Sequence, residues 1–359
     1  MNHLTNSLIS WYLINKRDLP WRNTTDPYQI WLSEIILQQT RVEQGMPYYK
    51  RFVDKYPDVQ ALAEAPEDEV LKLWQGLGYY SRARNLHATA KKVSTELDGK
   101  FPDTYKALKT LKGVGDYTAS AIASICFGEP AAVVDGNVYR VLSRLFGIET
   151  PINTGAGQRE FKALAQELIH EEEPALFNQA IMEFGAIQCK PKNPYCLHCS
   201  FNDKCVALKE NKIDQLPVKK GKVKIRNRYF NYLVFIIEDN FTVLQQRKGK
   251  GIWRGLFEFP LLESEIELKE ADFWTEARKN DFTDQKLTDY ISEISAEEVN
   301  LYNPEPILHK LSHQKLYVKF WIIRTRNPLA HIDRIAKEKL QDYAVPRVID
   351  RFIERFDFD

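Results

Sequence analysis

Cys189, Cys196, Cys199 and Cys205 fall within seventeen residues of a 359-residue chain that carries only five cysteines. Pro191 and Pro194 kink the first interval, so the segment curls back on itself and can bring its thiolates around a common centre. Such a set suits either four-sulfur zinc or an iron–sulfur cluster. Zinc sites usually show two tight pairs. Here one tight pair is flanked by intervals of six and five residues, which favours a [4Fe–4S] cluster. Disulfides fit poorly with a chain that otherwise reads as intracellular. The fifth cysteine, Cys126, lies in the apolar stretch 118–127 and is read as part of the core.

A second constellation precedes it. In Leu111-Lys112-Gly113-Val114-Gly115, two glycines flank one β-branched residue between helical stretches, and Asp116-Tyr117-Thr118-Ala119 opens the next helix. A turn of this kind presents backbone N–H groups beside a helix N-terminus, an arrangement suited to a phosphate oxygen. Amides gripping a backbone phosphate position a protein on DNA without reading base sequence.

These groups need scaffolding. Apolar residues recur at helical spacing over 30–37, 70–74, 84–97, 118–125, 137–146, 161–169 and 176–187, punctuated by Pro and Gly. Residues 1–208 therefore form a mainly α-helical domain that includes the cysteine loop 189–205. Asp135 and Asn137 bracket Gly136 just before a helical pattern, which is N-cap chemistry. Residues 209–227 are polar and basic and read as a linker. From 228 to 359 the pattern is α+β: strands are expected over 229–237, 241–246 and 315–326, and helices over 270–279 and 346–356.

The length accommodates about two domains. A hydrophobic content of 44% and a charged content of 28% are ordinary for a globular protein, and a net charge of +1 conceals any local basic surface. No apolar run is long enough to span a bilayer. The first ten residues carry no secretory pattern, so a cytoplasmic protein is expected; a nucleoid-associated monomer is what the family resemblance implies.

The hairpin, Asp135 within Val133–Val138 and the cysteine loop occur in that order, and the chain thereby resembles the helix-hairpin-helix DNA glycosylase superfamily. Trp31–Thr40 and Gly76–Arg82 sharpen the resemblance to adenine DNA glycosylases of the MutY type. It implies base excision repair: flipping adenine out of double-stranded DNA, opposite 8-oxoguanine or guanine, and hydrolysing its bond to the sugar. Glu34 is then the acid that protonates the base, and Asp135 is the carboxylate facing an oxocarbenium-like sugar, with Tyr117 and Asn137 orienting them. The apolar neighbours of Glu34 should raise its pKa, while N–H donors should keep Asp135 ionised. Whether Asp135 bonds covalently to the sugar stays open.

The resemblance further places Trp21, Arg22, Leu37 and Glu183 around the adenine, and Gln39, Thr40, Leu77 and Tyr79 on the lesion side. Gly113, Val114 and Gly115 fall on the DNA backbone. Related enzymes with lyase activity carry a lysine where this chain has Tyr117, and a phenol cannot form a Schiff base. Two other readings are an endonuclease III-like glycosylase/lyase and an inactive DNA-binding iron–sulfur protein.

The second domain resembles the nudix-like domain of this same glycosylase family, which is related to the nucleotide hydrolase MutT. Glu263, Glu265, Glu267 and Glu270 do not make the Arg-Glu-x-x-Glu-Glu pattern that holds magnesium, so lesion recognition without nucleotide hydrolysis is expected. Ser312 and His313 are the expected lesion readers. Leu311 stands before them where the family more often has Phe. Lys190, Lys192 and Lys204 are expected to face phosphates from the cysteine loop.

Overall fold

The computed structural model describes residues 2–221, 225–279, 287–289, 291, 299–325 and 333–358. The chain divides into two compact units, Met1–Ala65 with Arg84–Gly221, and Pro66–Ala83 with Lys222–Asp359.

The helices before the cysteine loop are α1 (Asn2–Asn15), α2 (Pro27–Leu37), α3 (Val42–Lys55), α4 (Val59–Glu64), α5 (Glu67–Leu73), α6 (Ser81–Glu96), α7 (Tyr105–Leu108), α8 (Asp116–Phe127), α9 (Gly136–Phe146), α10 (Gly155–Leu168) and α11 (Pro174–Glu183). The short helix α12 (Val206–Lys209) follows the loop. α2 starts cleanly: Pro27 takes its first position, and Asp26 caps it by accepting from the Tyr28 amide. It is buried on nearly all sides, Ser33 and Glu34 included, the pattern of a helix at the centre of a domain rather than at its surface. The small residues Ala119, Ser120, Ala121, Ala123 and Ser124 of α8 are likewise buried, which permits close helix approach.

The core of this unit joins Val138, Val141, Leu142 and Leu145 of α9 to Phe161, Phe177, Ile181 and Phe184. Each such side chain contributes roughly 1.5–3 kcal/mol on burial. The stretch expected as a linker is packed well past residue 209. Leu216 is buried, the Ile152 amide donates to Val218 O, and Asn153 exchanges two hydrogen bonds with the Lys220 backbone. Apolar residues at 213, 216 and 218 interrupt its charges and account for the packing.

The pattern expected to extend one helix over 176–187 ends at Glu183. Phe184–Gln188 is a wide π turn, closed by the Cys189 amide donating to Phe184 O. Single π turns concentrate at functional sites.

In the second unit, β1 (Arg226–Ile237) and β8 (Gln314–Thr325) run parallel through twelve paired positions, from Arg226 beside Gln314 to Ile237 beside Thr325. The other strands are β2 (Phe241–Thr242), β3 (Gln245–Gln246), β4 (Phe257–Glu258), β5 (Leu261–Ser264), β6 (Val299–Leu301), β7 (Ile307–Lys310) and β9 (Ile335–Ala336). The main sheet runs β6-β8-β1-β2-β9; β5 is paired to β1 and β7 to β8. The single strand expected over 241–246 is two: β2 belongs to the main sheet and β3 pairs with β4. Val243 and Leu244 are both buried, so the chain does not alternate there. The expected strand over 315–326 is observed to Thr325; residue 326 lies outside the described residues. Helices α13 (Glu270–Ala277) and α14 (Arg347–Ile353) pack on opposite cores of the sheet.

Candidate catalytic pocket and cysteine loop

Two carboxyls from distant parts of the sequence meet in the helical unit. Glu34, on buried α2, is 8% exposed. Burial raises its pKa to about 7, with a further push from the charge of Asp135; a hydrogen bond from Tyr117 and the nearby Arg22 act the other way. Asp135 is the N-cap of α9. It accepts from the Asn137 and Val138 amides, both at 2.8 Å, and from Asn137 Nδ2 at 2.7 Å. These are the donors expected from the sequence, yet burial outweighs them and leaves the Asp135 carboxyl above its usual range.

Tyr117, in the first turn of α8, reaches the same place. Its hydroxyl is hydrogen-bonded to Glu34, lies 3.2 Å from Met182 Sδ, and is held well above the usual phenol range by burial and the two carboxyls. Gln38 Nε2 donates to Thr118 beside it, at 3.3 Å.

Glu183 is almost wholly buried and fully engaged. Arg22 binds it through Nη1 and Nη2 at 3.1 and 2.7 Å, and Arg17 through its amide, Nε and Nη2 at 3.0, 2.8 and 2.7 Å. Burial alone would raise the Glu183 pKa, but these donors hold it down at about 2. Glu183 is thus a fixed anion that orients Arg22 rather than a free hydrogen-bonding edge. Trp21 is buried edge-on against Tyr49, and Leu37 closes on Gly45 at the end of α2. Gln39 is exposed with a left-handed backbone (φ 54°), and the Thr40 hydroxyl turns back to Gln38 O.

The hairpin is as the glycines require. Gly113 has φ 81°, and a Cβ there would sit 2.9 Å from Asn85 Cβ. Val114 is buried, while Gly115 is exposed as the N-cap of α8. In the second unit, Ser312 and His313 are exposed between β7 and β8, whereas Leu311 packs toward the sheet core. Tyr79 is half-exposed and its hydroxyl meets that of Ser312; Leu77 is buried. Of the acidic residues after Gly255, Glu263 is paired with Arg228 and Glu267 with Lys319.

All four cysteines of the loop line one small pocket, together with Arg144, Phe184 and Tyr195. None is in a disulfide. Burial and the neighbouring sulfurs push Cys199 up to about 11 and raise Cys196 and Cys205, so the thiols crowd one another unless a cation compensates them. Among the described residues no group of three or more His, Cys, Asp or Glu is gathered tightly enough for a single metal ion. Lys190, Lys192 and Lys204 are exposed. Cys126, outside this set, is pushed up to about 12 by burial.

Several residues that join these parts escape a sequence reading. Arg140 spans from the pocket to the cysteine loop: it donates to Asn137 Oδ1 and Gly136 O, and to Gly185 O and Cys189 O. Arg144 is fully buried, binds the carbonyls of Lys190, Pro191 and Leu216, and lies 3.5 Å from Cys189 Sγ. Gly185, in the π turn, has no room for a side chain, since a Cβ would fall 2.6 Å from Asn137 Cβ and 2.9 Å from its carbonyl oxygen. Arginines on α9 and a glycine before the first loop cysteine were the available signals. Gly185→Ala should therefore displace Asn137 and Asp135 and slow the chemistry expected of the carboxyl pair about a hundredfold, as misplacements near 1 Å do; single-turnover kinetics on a folded variant measure it.

Residues 32–169 match the HhH-GPD superfamily base excision DNA repair protein, and residues 231–355 match the NUDIX domain. The helical unit is thus of the base excision repair class. An adenine DNA glycosylase of Buchnera aphidicola subsp. Baizongia pistaciae (strain Bp) is 34% identical over 319 residues, covering 88% of this chain and 85% of that one. Another, from Buchnera aphidicola subsp. Acyrthosiphon pisum (strain APS), is 30% identical over 363 residues, covering 97% and 96%. The chain belongs to the adenine DNA glycosylase family. Among solved structures, a thermostable thymine-DNA glycosylase is 31% identical with a TM-score of 0.54, covering 58% of this chain and 96% of that one. A non-covalent endonuclease III–DNA complex, 23% identical with a TM-score of 0.51 and covering 58% and 95%, shares the fold. Among the described residues no helix is long and apolar enough to cross a membrane.

Proposed function

We propose that this chain is a monofunctional DNA glycosylase that extrudes adenine paired with 8-oxoguanine or guanine from double-stranded DNA and hydrolyses its glycosidic bond. The observation that carries the reading is a buried Glu34 of raised pKa that feels the charge of Asp135, with Tyr117 interacting with both. Up to about neutral pH a large share of Glu34 still carries its proton, which it gives to N7 of adenine, so the base leaves uncharged. Asp135, ionised and held by three donors, faces the positive charge that grows on the sugar. Tyr117 keeps Glu34 in place, and Asn137 holds Asp135. Arg22, fixed by Glu183, supplies a rigid cation near Glu34. The Gly113–Gly115 hairpin grips the DNA backbone, and Ser312 with His313 reads the base opposite adenine.

Cys189, Cys196, Cys199 and Cys205 would hold a [4Fe–4S] cluster: four free thiols of one loop lining one pocket are the donor set it takes. Bound there, it would fix the loop and need not exchange electrons, since glycosidic hydrolysis is redox-neutral. Equimolar iron and inorganic sulfide in the purified protein is the expected analysis.

A single-turnover assay on duplexes with adenine opposite 8-oxoguanine tests the reading. Free adenine and an abasic site are expected, without strand cleavage. With Tyr117 at the lysine position, borohydride should trap little covalent complex; trapping in high yield would overturn the monofunctional assignment.

A further inference from the structure

Within the second unit, polar contacts converge on the side chain of Gln75, two residues beyond the end of α5. Its Nε2 donates to Asp350 Oδ1 at 2.7 Å, and its Oε1 accepts from the Val345 amide at 3.2 Å and from Lys72 Nζ at 3.4 Å. Lys72 Nζ also reaches Tyr343 O, and Asp350, 6% exposed, is bonded to Arg347 within α14. The carboxamide therefore joins α5 to residues 343–350.

The loop that follows is strained and tightly held. Gly76, Tyr79 and Gly78 all have left-handed backbones, and for Tyr79 (φ 48°) this is unfavourable. Such a conformation persists only where its surroundings impose it. Gly76 N donates to Tyr80 OH, Trp74 Nε1 to Gly78 O, and Arg82 Nη2 to Gly78 O. At its tip the Tyr79 hydroxyl touches Ser312. The loop is thus anchored at its base through Gln75 and at its tip through the β7–β8 turn.

We infer that Gln75 and Asp350 form a positioning pair that aims Tyr79 and Ser312 for telling 8-oxoguanine from guanine opposite the target adenine. The inference rests on the function proposed above. The two bases differ at C8, which gains an oxygen, and at N7, which gains a proton, so discrimination needs hydroxyls held to hydrogen-bonding tolerance. Contacts to phosphates tolerate a looser loop. Disturbing the pair should therefore weaken discrimination before it weakens chemistry.

Gln75→Glu places two carboxylates where an amide donor met a carboxylate, while its oxygens can still accept from Val345 and Lys72. The preference for 8-oxoguanine over guanine, taken as the ratio of second-order single-turnover rate constants, should fall roughly tenfold, the scale of a lost charged hydrogen bond. The rate at saturating protein on the 8-oxoguanine duplex should stay within about twofold. Adding Asp350→Asn supplies a donor to the new carboxylate and should restore the ratio; a merely structural lesion would not be rescued. Thermal melting monitors folding, and if the single variant does not fold, the double variant must still fold with the wild-type ratio. An unchanged ratio in Gln75→Glu, or a folded double variant that fails to regain it, overturns the inference. A wild-type protein that excises adenine opposite neither base instead removes the functional reading beneath it, and the inference with it.

Discussion

Asp135→Asn is expected to lower the single-turnover excision rate by about a hundred- to a thousandfold, the range seen when a group aimed at developing charge is removed, while duplex affinity changes only a few-fold. The substitution is unusually clean. Asparagine caps helices about as well as aspartate, so α9 keeps its start and its oxygen can still accept from the Asn137 and Val138 amides. What is lost is the negative charge, and with it the partner of Asn137 Nδ2. Asn137 cannot simply turn its amide round, because Arg140 donates to its oxygen. Titration of labelled duplex gives the affinity, and rapid quench gives the rate. A variant of near-normal rate would mean that the sugar is stabilised elsewhere.

Glu34→Gln is expected to abolish excision as well, because a carboxamide has no proton to give, and at the same time to make the protein more stable at neutral and alkaline pH. The sign follows from the raised acidity constant. Between about 4.5 and 7 the folded protein retains a proton that the unfolded chain has released, so wild-type stability falls as pH rises through that window. Above it the accumulated penalty is about 3 kcal/mol, at roughly 1.4 kcal/mol per pH unit. Glutamine escapes the penalty. The variant should melt several degrees above wild type at pH 8 and lose the advantage below pH 4.5, as scanning calorimetry across pH would reveal. In the wild type, excision should decline on the alkaline side near pH 7 as Glu34 ionises. An active Glu34→Gln protein would remove Glu34 from the chemistry.

The parts of the site that follow from local chemistry were legible in the sequence. Asp135 before Gly136-Asn137 reads as an N-cap and is one; the apolar neighbours of Glu34 foretell its burial; the cysteine spacing foretells a shared cavity. Helices over 118–125 and 137–146 were visible from periodicity. α3 was not among the expected helices, and Pro47 inside it obscures the pattern. Partners far apart in the chain were out of reach. Arg17 and Glu183 are separated by 166 residues, and Gln75 and Asp350 by 275. No spacing rule links such positions. The net direction of the Asp135 pKa was missed for the same reason, since desolvation depends on everything packed around the group.

The π turn between Glu183 and Cys189 also fixes an angle. Each α-helical residue advances the chain by about 100°, so the one additional residue accommodated by Phe184–Gln188 sets how the arginine-bound anion at one end is rotated relative to the leading sulfur at the other. A deletion within 184–188 would leave both ends chemically intact and swing them out of phase, with Gly185 carried off Asn137 in the same movement. This segment should therefore tolerate conservative side-chain exchange at its half-buried positions 186–188 but no change in length.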